Sequence, residues 1–575
     1  MYNIFYQYIL LLVFVLTFFG IGMLVFKAFS IRLKYMADKI FYASVLGCSL
    51  AIILFTAFYL TGVYSKYFVY IMCLAVVPGI YFLTQARDKK STILMTIILV
   101  LLFKVMIYTV YPPNDFDATM YHLPIINQLV QNANIDFSTS IRYPTYPFFG
   151  EVFLSLGMVF GDTSVNVLSA YILFLLALAI GKEFVYQSYW KSIISVGLLF
   201  IVKVLINFSG TAYIDNILAL FFFAAFLVLK NNFVDKKNIP IYLSGIFMGI
   251  AIGVKYTAGF CAIEIGIILL LLRQWKATIK YALPAIVIGS IWYIRTYLVL
   301  NNPLWPFMTK IFQTKPVWTE QDYLLQFGDL MKKYDTISDL FKGILHAEGG
   351  ISVVIFLGLG LYCLLARKQK WFKLYIGIIT AYFIMWYNSA QYTRYLMPIV
   401  PFLVLMATNG YIVFIDKFRK KEKIYKVIAS LILCNYIIVV ISFVYDYSFD
   451  KKIIWKDNIV KYRMVCTDRG KFLQEKFPAY NAVDYASKLP GKTYAMHLEY
   501  INYYGKGKVY GDWFGKYRYA DVDDLLNAKE YEKLSIHLKN LKIDYLLVSK
   551  SNNIVPNIYM SEVYNDKKYA IYKIN

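Results

Sequence analysis

No CxxC, HExxH, P-loop or GxGxxG motif occurs in this 575-residue chain. That removes thiol-redox, zinc-protease and nucleotide-cradling readings at the outset. Cysteine is sparse, six in all, and builds no disulfide framework. Cys48, Cys73, Cys261, Cys363 and Cys434 fall in apolar runs, and Cys466 alone lies in polar surroundings. Charge is thin as well, at 16% of residues, against 59% hydrophobic residues and a mean hydropathy of +0.54. A soluble protein of this size could not hide that much apolar surface, so the chain reads as a polytopic membrane protein. The net charge of +24 would suit a nucleic-acid partner, but the Lys and Arg sit in short clusters between apolar runs. That is the pattern of the positive-inside rule, so membrane lipids are expected as partners and nucleic acid is not. The first apolar run, 4–29, is long and lacks both a basic front and a small-residue cleavage site, so no cleavable signal is expected. There is no internal repeat and no low-complexity linker.

What is abundant is spans. About 12–14 transmembrane helices are expected, over 4–29, 40–62, 67–84, 91–110, 163–185, 191–206, 212–229, 239–254, 257–272, 279–299, 350–366, 373–388, 394–415 and 424–446. Basic loops alternate with loops nearly free of Lys and Arg. The basic set is carried by Lys27/Arg32/Lys34/Lys39, Arg87/Lys89/Lys90, Lys230/Lys236/Lys237, Arg273/Lys276/Lys280, Arg367/Lys368/Lys370/Lys373 and Lys417/Arg419/Lys420/Lys421/Lys423. Those loops face the cytoplasm under the positive-inside rule. The N-terminus, the loops 111–162 and 301–349, and the tail from 447 then face outside, as expected of a bacterial inner-membrane protein with an external site. The chain divides into a membrane domain, 1–446, and a small external α/β domain, 447–575. In the tail, shorter apolar runs predict an amphipathic helix over 521–541 and strands at 493–497, 508–510, 544–549 and 568–574.

The loop 111–162 carries the chemistry. It opens YPPNDFDATMYHLP (111–124), where Pro112 and Pro113 stop the preceding helix. Carboxylates are costly to hold beside a bilayer and mark a site more often than a scaffold. Asp117 is the leading candidate, with Asp115, Tyr121 and His122 beside it. Apolar residues at helical spacing in 118–131 suit a helix lying on the membrane surface, and 148–160 is a second of the same kind. Other polar residues gather at the same ends of the spans: Asp215 in GTAYIDN, Lys255 and Tyr256 in a short turn, Arg295 before NNPLWPF, and Gln391 and Arg394 in NSAQYTRYLMP. Lys104 and Lys203 are intramembrane lysines near those ends. Cations neutralise a phosphate leaving group and a carboxylate takes an acceptor's proton. Each residue also has a plainer reading: snorkelling for the lysines, helix-dipole complementation for Asp215, headgroup anchoring for Lys255 and Arg394. His122 has no second ligand nearby in sequence. The Asp115-x-Asp117 pair leaves one cofactor open, a divalent cation, on a signal that is weak alone.

These segments resemble the GT-C superfamily of integral-membrane glycosyltransferases. The similarity is greatest to the bacterial branch related to protein O-mannosyltransferases and lipid A aminoarabinose transferases. It is carried by NDFDATMYHLP (114–124), RYPTYPFFGE (142–151), AYID (212–215), GVKYTA (253–258), RTYLVLNNPLWPF (295–307), RYLMPIVPF (394–402) and LKIDYLLVSK (541–550). It implies a GT-C-like fold and inverting transfer of a sugar from a polyprenyl-phosphate donor to a lipid, glycan or protein acceptor on the outer face. It implies Asp117 as the acidic residue, with Asp115 beside it. Lys255, Arg295, Arg394 and Lys203 are then candidates for the donor phosphate, and Tyr121, His122, Asp215, Tyr256 and Gln391 for substrate contact. The NDFD and YHLP context and the external tail depart from the protein mannosyltransferases, which puts mannose and a protein acceptor in question. Two other readings compete. A lipid-linked oligosaccharide polymerase or ligase would lean on Arg and His rather than carboxylates in its large loops. A transporter or flippase would place its polar residues near the midplane.

Overall fold

The computed structural model describes residues 2–417 and 465–575, apart from 86–87, 136, 138–140, 234, 236, 331–333, 367–371 and 553. Among the described residues, seven helices are long and apolar enough to cross a membrane: Ile4–Ala28, Met36–Thr61, Lys66–Gln85, Asp162–Gly181, Asp215–Phe233, Trp275–Leu300 and Thr393–Lys417. A further apolar helix pair, Lys89–Leu101 and Phe103–Thr109, meets at 50° and makes an eighth span if the two halves cross together. Five further expected spans fall on apolar helices of 10–17 residues: Tyr189–Phe200, Tyr242–Val254, Ala258–Leu271, Val353–Leu365 and Phe372–Tyr387. Hydropathy alone counts them with the rest because it weighs how apolar a run is and not how much of it is helical, as in 191–206, where the helix stops at Phe200. The expected span 424–446 lies outside the described residues. The protein is an integral membrane protein with a predominantly helical fold.

Small residues let the first helices meet closely, as membrane packing requires. A Cβ built on Gly22 would lie 1.8 Å from the Ala43 carbonyl oxygen, and one on Gly47 would lie 2.0 Å from that of Phe18. We therefore expect Gly22→Ala to destabilise the protein by about 1–3 kcal/mol or more through overpacking. Among the described residues nothing lies within 4 Å of the same position at Gly360, so Gly360→Ala is expected to leave stability unchanged or slightly raised. Melting temperatures of the two variants in one detergent check this, and equal values would contradict the packing.

Several loops of the basic set pair with acidic residues at one pole. Lys182 Nζ lies 3.0 Å from Asp38 and 2.6 Å from Glu183, Lys237 3.1 Å from Asp38, and Lys230 2.8 Å from Asp235. The segments of the other set meet at the opposite ends of the same helices. The 118–131 stretch is helical, with a π-type turn at Ala118–His122 running into Leu123–Asn132, but it is not a helix laid open on a surface. Ala118, Leu123, Ile126 and Leu129 are buried, because Phe149–Met158 packs on one side and the tail segment Glu499–Gly505 on another. The second expected surface helix is Phe149–Met158 itself, buried along almost its whole length. Loop 301–349 holds two helices, Glu320–Leu330 and Ile337–His346.

The N-terminal residues Tyr2–Asn3 (β1) pair antiparallel with Val465–Cys466 (β2), tying the chain's start to the beginning of the described tail. The tail carries a mixed sheet of β3 (Thr493–Ala495), β4 (Val509–Tyr510), β5 (Tyr545–Ser549), β6 (Met560–Asn565) and β7 (Tyr569–Ile574), in the order β4-β3-β5-β7-β6. Its first three members in that order are parallel and the last two pairings antiparallel. The helix expected over 521–541 is two helices, Tyr519–Asn527 and Tyr531–Asn540, because Lys529 adopts a left-handed backbone (φ 56°) between them. One side of the sheet has its own core around Tyr494, Tyr519, Leu534 and Leu546. On the other side, Phe472, Phe477, Ile501 and Tyr504 join the main core of the membrane part. Ion pairs fix the contact. Arg142 Nε donates to both Asp512 carboxylate oxygens at 2.9 and 3.1 Å, Arg469 Nη1 donates to Asp162 at 2.9 Å, and Arg518 lies 3.5 Å from Asp322.

Candidate functional site

Segments that the charge pattern puts on one side of the membrane converge on a cavity of about 640 Å³. Loop 111–162 supplies Asp117, Tyr121, His122, Tyr143, Tyr146 and Glu151. The other walls come from Tyr213 and Asp215, the turn Lys255–Tyr256–Thr257, Glu348, Tyr392, Arg394 and Tyr395, and Trp513 and Phe514 of the tail. At this cavity the helices end: Asp215 begins its helix, Lys255 caps Tyr242–Val254, and Arg394 lies in the 3₁₀ turn Thr393–Ile399 that leads into the last described span.

Asp117 and Arg394 are at its centre. The guanidinium Nη2 lies 2.8 Å from Asp117 Oδ2, and Tyr121 Oη donates to the same oxygen at 3.2 Å. The Asp117 backbone N–H donates to Tyr213 Oη at 3.2 Å. Arg394 is held from the far side by Glu348: its backbone N–H donates to Glu348 Oε2 at 2.7 Å and its Nε lies 3.7 Å from Oε1. Tyr213, Tyr392 and Tyr395 place their rings 5.3–5.5 Å from the guanidinium carbon, a cation–π cage that holds the cation in place as it leaves water. Burial pushes the Glu348 carboxyl above the ordinary glutamate range, with Arg394 pulling against it. Glu348 also has a left-handed backbone (φ 53°), uncommon for a residue with a side chain and found most often where function fixes geometry.

The second ion pair is Lys255 Nζ to Asp215 Oδ1 at 2.6 Å, with the ammonium 4.0 Å from the Tyr395 ring centroid. Tyr395 therefore stands between the two cations. The third polar pair is His122 Nδ1 with Glu151 Oε1 at 2.7 Å. Both are buried, and among the described residues Glu151 Oε2 has no hydrogen-bond partner. The contact fixes the imidazole and leaves Glu151 with unused acceptor capacity.

The expected site residues divide accordingly. Asp117, Tyr121, His122, Asp215, Lys255, Tyr256 and Arg394 line one cavity; Tyr256 reaches it with its hydroxyl donated to the Trp305 carbonyl at 2.8 Å. The remaining four are absent from its lining. Asp115 interacts with Lys476 of the tail, whose ammonium burial holds below the ordinary lysine range. Arg295 is buried beside Phe148 and Trp292 and donates to the Ile135 carbonyl at 3.1 Å. Lys203 is exposed at the start of Lys203–Phe208. Gln391 spans the Tyr334 N–H and the Tyr387 carbonyl, each at 2.8 Å. Asp115 is absent from the cavity lining and a guanidinium already engages Asp117, a donor set that does not fit a divalent cation. Among the described residues no three His, Cys, Asp or Glu side chains gather as a metal site. Sequence reasoning missed Glu151, Glu348, Tyr213 and Tyr395. Glu151 closes the RYPTYPFFGE segment. Glu348 had a faint signal, a carboxylate before Gly349–Gly350 where the chain must turn.

A model of the family described as SF2091/S2213 matches residues 468–573. "Uncharacterized protein SF2093/S2215" of Shigella flexneri is 33% identical over 135 residues, 23% of this chain and 68% of that protein. The chain belongs to the family of SF2093/S2215. A second Shigella flexneri relative, "Uncharacterized protein SF2092/S2214", is 27% identical over 133 residues, 23% of this chain and 71% of that protein. Among solved structures, this SF2093/S2215 family member is similar to ArnT from Cupriavidus metallidurans. In the apo state the match has a TM-score of 0.53 at 12% identity, over 84% of this chain and 97% of ArnT. With ArnT bound to undecaprenyl phosphate the TM-score is 0.51 over the same shares. The mycobacterial arabinofuranosyltransferase AftD gives 0.51 at 10% identity, over 85% of this chain and 40% of AftD. The fold matches that of ArnT and AftD, as expected from the sequence segments.

Proposed function

We propose that this protein is a glycosyltransferase that moves a sugar from a polyprenyl-phosphate carrier to an acceptor at the outer face of a bacterial inner membrane, with inversion. The observation that carries the reading is the Asp117–Arg394 pair, backed by Glu348, in a cavity whose second cation is Lys255. The GT-C fold and the undecaprenyl phosphate bound to ArnT add support for the donor.

The step follows from the charges. The acceptor hydroxyl attacks the anomeric carbon from the face opposite the phosphate. Its proton goes to an Asp117 carboxylate oxygen, a new glycosidic C–O bond forms, and the bond from the anomeric carbon to the phosphate oxygen breaks. The charge left on the lipid phosphate falls to Arg394 and Lys255, preorganised donors of the kind that lower such barriers most. The donor also prepares the base. Without it Arg394 satisfies itself on Asp117 and Glu348. A bound phosphate takes the guanidinium, and Asp117 then turns its lone pair to the acceptor while Glu348 keeps Arg394 in place. His122–Glu151 positions the wall beside Tyr121, and the external tail, proposed as a domain of 447–575, shapes acceptor access.

Two measurements test this. Native mass spectrometry of the protein in nanodiscs should show undecaprenyl phosphate retained by wild type and weakened by Arg394→Gln; retention equal in both would contradict the phosphate assignment. Cysteine at Asn565 should react with an impermeant maleimide in intact cells, and cysteine at Lys89 only after permeabilisation. The reverse pattern would place the cavity on the nucleotide-sugar side and remove the lipid-donor argument.

A further inference from the structure

The GDWFG turn at 511–515 brings a solvent-facing tryptophan to the cavity wall. Both its ends have left-handed backbone at glycine, φ 137° at Gly511 and 77° at Gly515, so the turn is tight. It is pinned on each side of its centre. Asp512 is held by the bidentate contact with Arg142. Phe514 packs on Trp318, ring centroids 5.5 Å apart, and under the Arg142 guanidinium at 5.0 Å. Between these anchors Trp513 is 49% exposed while its side chain lines the cavity that holds Asp117. Its indole N–H donates to Glu499 Oε1 at 3.3 Å, and Tyr519 Oη fixes the other Glu499 oxygen at 2.9 Å, so the ring's orientation is set in advance. Against it lies His497, ring centroids 5.2 Å apart, itself in a left-handed backbone (φ 54°). His497 Nε2 is 3.0 Å from Asp523 Oδ2, and both side chains are open to water.

A rigid indole face bordered by an imidazole and carboxylates has two chemistries side by side. The electron-rich face suits the C–H face of a pyranose or furanose ring, and the bordering groups suit its hydroxyls. A hydrocarbon chain would satisfy the indole but strand the histidine and the carboxylates. We infer that Trp513, with His497 and Asp523, forms a saccharide-binding subsite at the mouth of the cavity, which makes the acceptor a glycan or glycolipid presenting a sugar ring. This rests on the sugar-transfer reading and deepens it by naming the acceptor class. Holding an acceptor ring against a fixed indole would set which hydroxyl reaches Asp117, and the tail, not the membrane part, would choose the acceptor.

The test is saturation-transfer NMR on the full chain in nanodiscs, with maltose, lactose, cellobiose and chitobiose as probes and undecaprenyl phosphate binding measured in parallel. We expect ring-proton saturation in at least one disaccharide. Trp513→Ala should weaken it by up to about tenfold, the scale of an aromatic contact, and Trp513→Phe should restore most of it. Lipid-phosphate binding should fall far less than disaccharide binding, and Trp513→Phe, which keeps the ring packing on His497 and Tyr519, should hold the melting temperature near wild type. His497→Ala should weaken the disaccharide by less than Trp513→Ala does. No disaccharide binding, equal binding in Trp513→Ala, or Trp513-dependent binding of a Ser/Thr-rich peptide in place of every disaccharide would overturn the subsite. Disaccharide binding without lipid-phosphate binding would support the subsite and overturn the transfer reading.

Discussion

Replacing Asp117 with asparagine is expected to lower sugar transfer by about 10²–10⁴, the usual contribution of a general base, while the protein still inserts and binds its donor. The amide keeps the shape and cannot take the acceptor's proton. Losing one partner of a buried ion pair can cost about 3–5 kcal/mol when it strands a charge. Here it does not strand one, because Glu348 still faces Arg394 from the other side. Stability should therefore fall much less than activity. Turnover per folded protein, with melting temperature measured on the same samples, separates the two effects. Near-normal turnover in Asp117→Asn would remove the base assignment. Asp115→Asn is the internal control: its carboxylate interacts with Lys476 and lies off the cavity wall, so it should retain most activity.

The second large effect is expected at Arg394. Charge-assisted hydrogen bonds contribute about 1.5–3 kcal/mol each, so Arg394→Gln should weaken lipid-phosphate binding by roughly 10- to 100-fold. Arg394→Lys should recover only part of this, because a lysine supplies the charge but not the planar fork that contacts Asp117 and Glu348 together. Lys255→Gln should also weaken the donor, by a smaller factor, since its ammonium is already committed to Asp215. A titration of undecaprenyl phosphate against the three variants checks the order. Donor affinity equal in Arg394→Gln and wild type would show that the guanidinium serves only to hold Asp117 in place.

The sequence allowed much of this to be read because charge beside a bilayer is expensive. The apolar runs located the spans, and the basic loops sorted the polar residues into two sets before any contact was known. Asp117, Asp215, Lys255 and Arg394 lie far apart in the chain, yet they line one cavity. Hydropathy marked the turn at Lys255–Tyr256 but overstated the helices on both sides, since it weighs how apolar a run is and not how much of it is helical. It also misplaced 118–131: an amphipathic helix in a loop reads the same whether its apolar face meets lipid or protein, and here Phe149–Met158 and the tail cover it. Arg295 sits on a helix face turned to Ile135, Phe148 and Trp292, and Asp115 lies in the loop before Phe116, beside Lys476, which spacing alone cannot reveal. Glu151 and Glu348 were harder still. One finds its role only through His122, the other only through Arg394, contacts across 29 and 46 positions that no local pattern encodes. The GDWFG turn carried no signal that tied it to the site, because nothing in the tail's sequence says that Arg142 holds it against the cavity.

A cavity that transfers a sugar from a lipid phosphate must discriminate between lipid-linked and nucleotide-linked donors. Purified protein in nanodiscs, given radiolabelled polyprenyl-phosphate sugar in one reaction and radiolabelled UDP-sugar in another, tests this most directly, with a glycan or glycolipid acceptor present in both. Label is expected to move to the acceptor from the lipid-linked donor alone, with polyprenyl phosphate released and the transfer abolished by Asp117→Asn. Transfer from the UDP-sugar alone would contradict it.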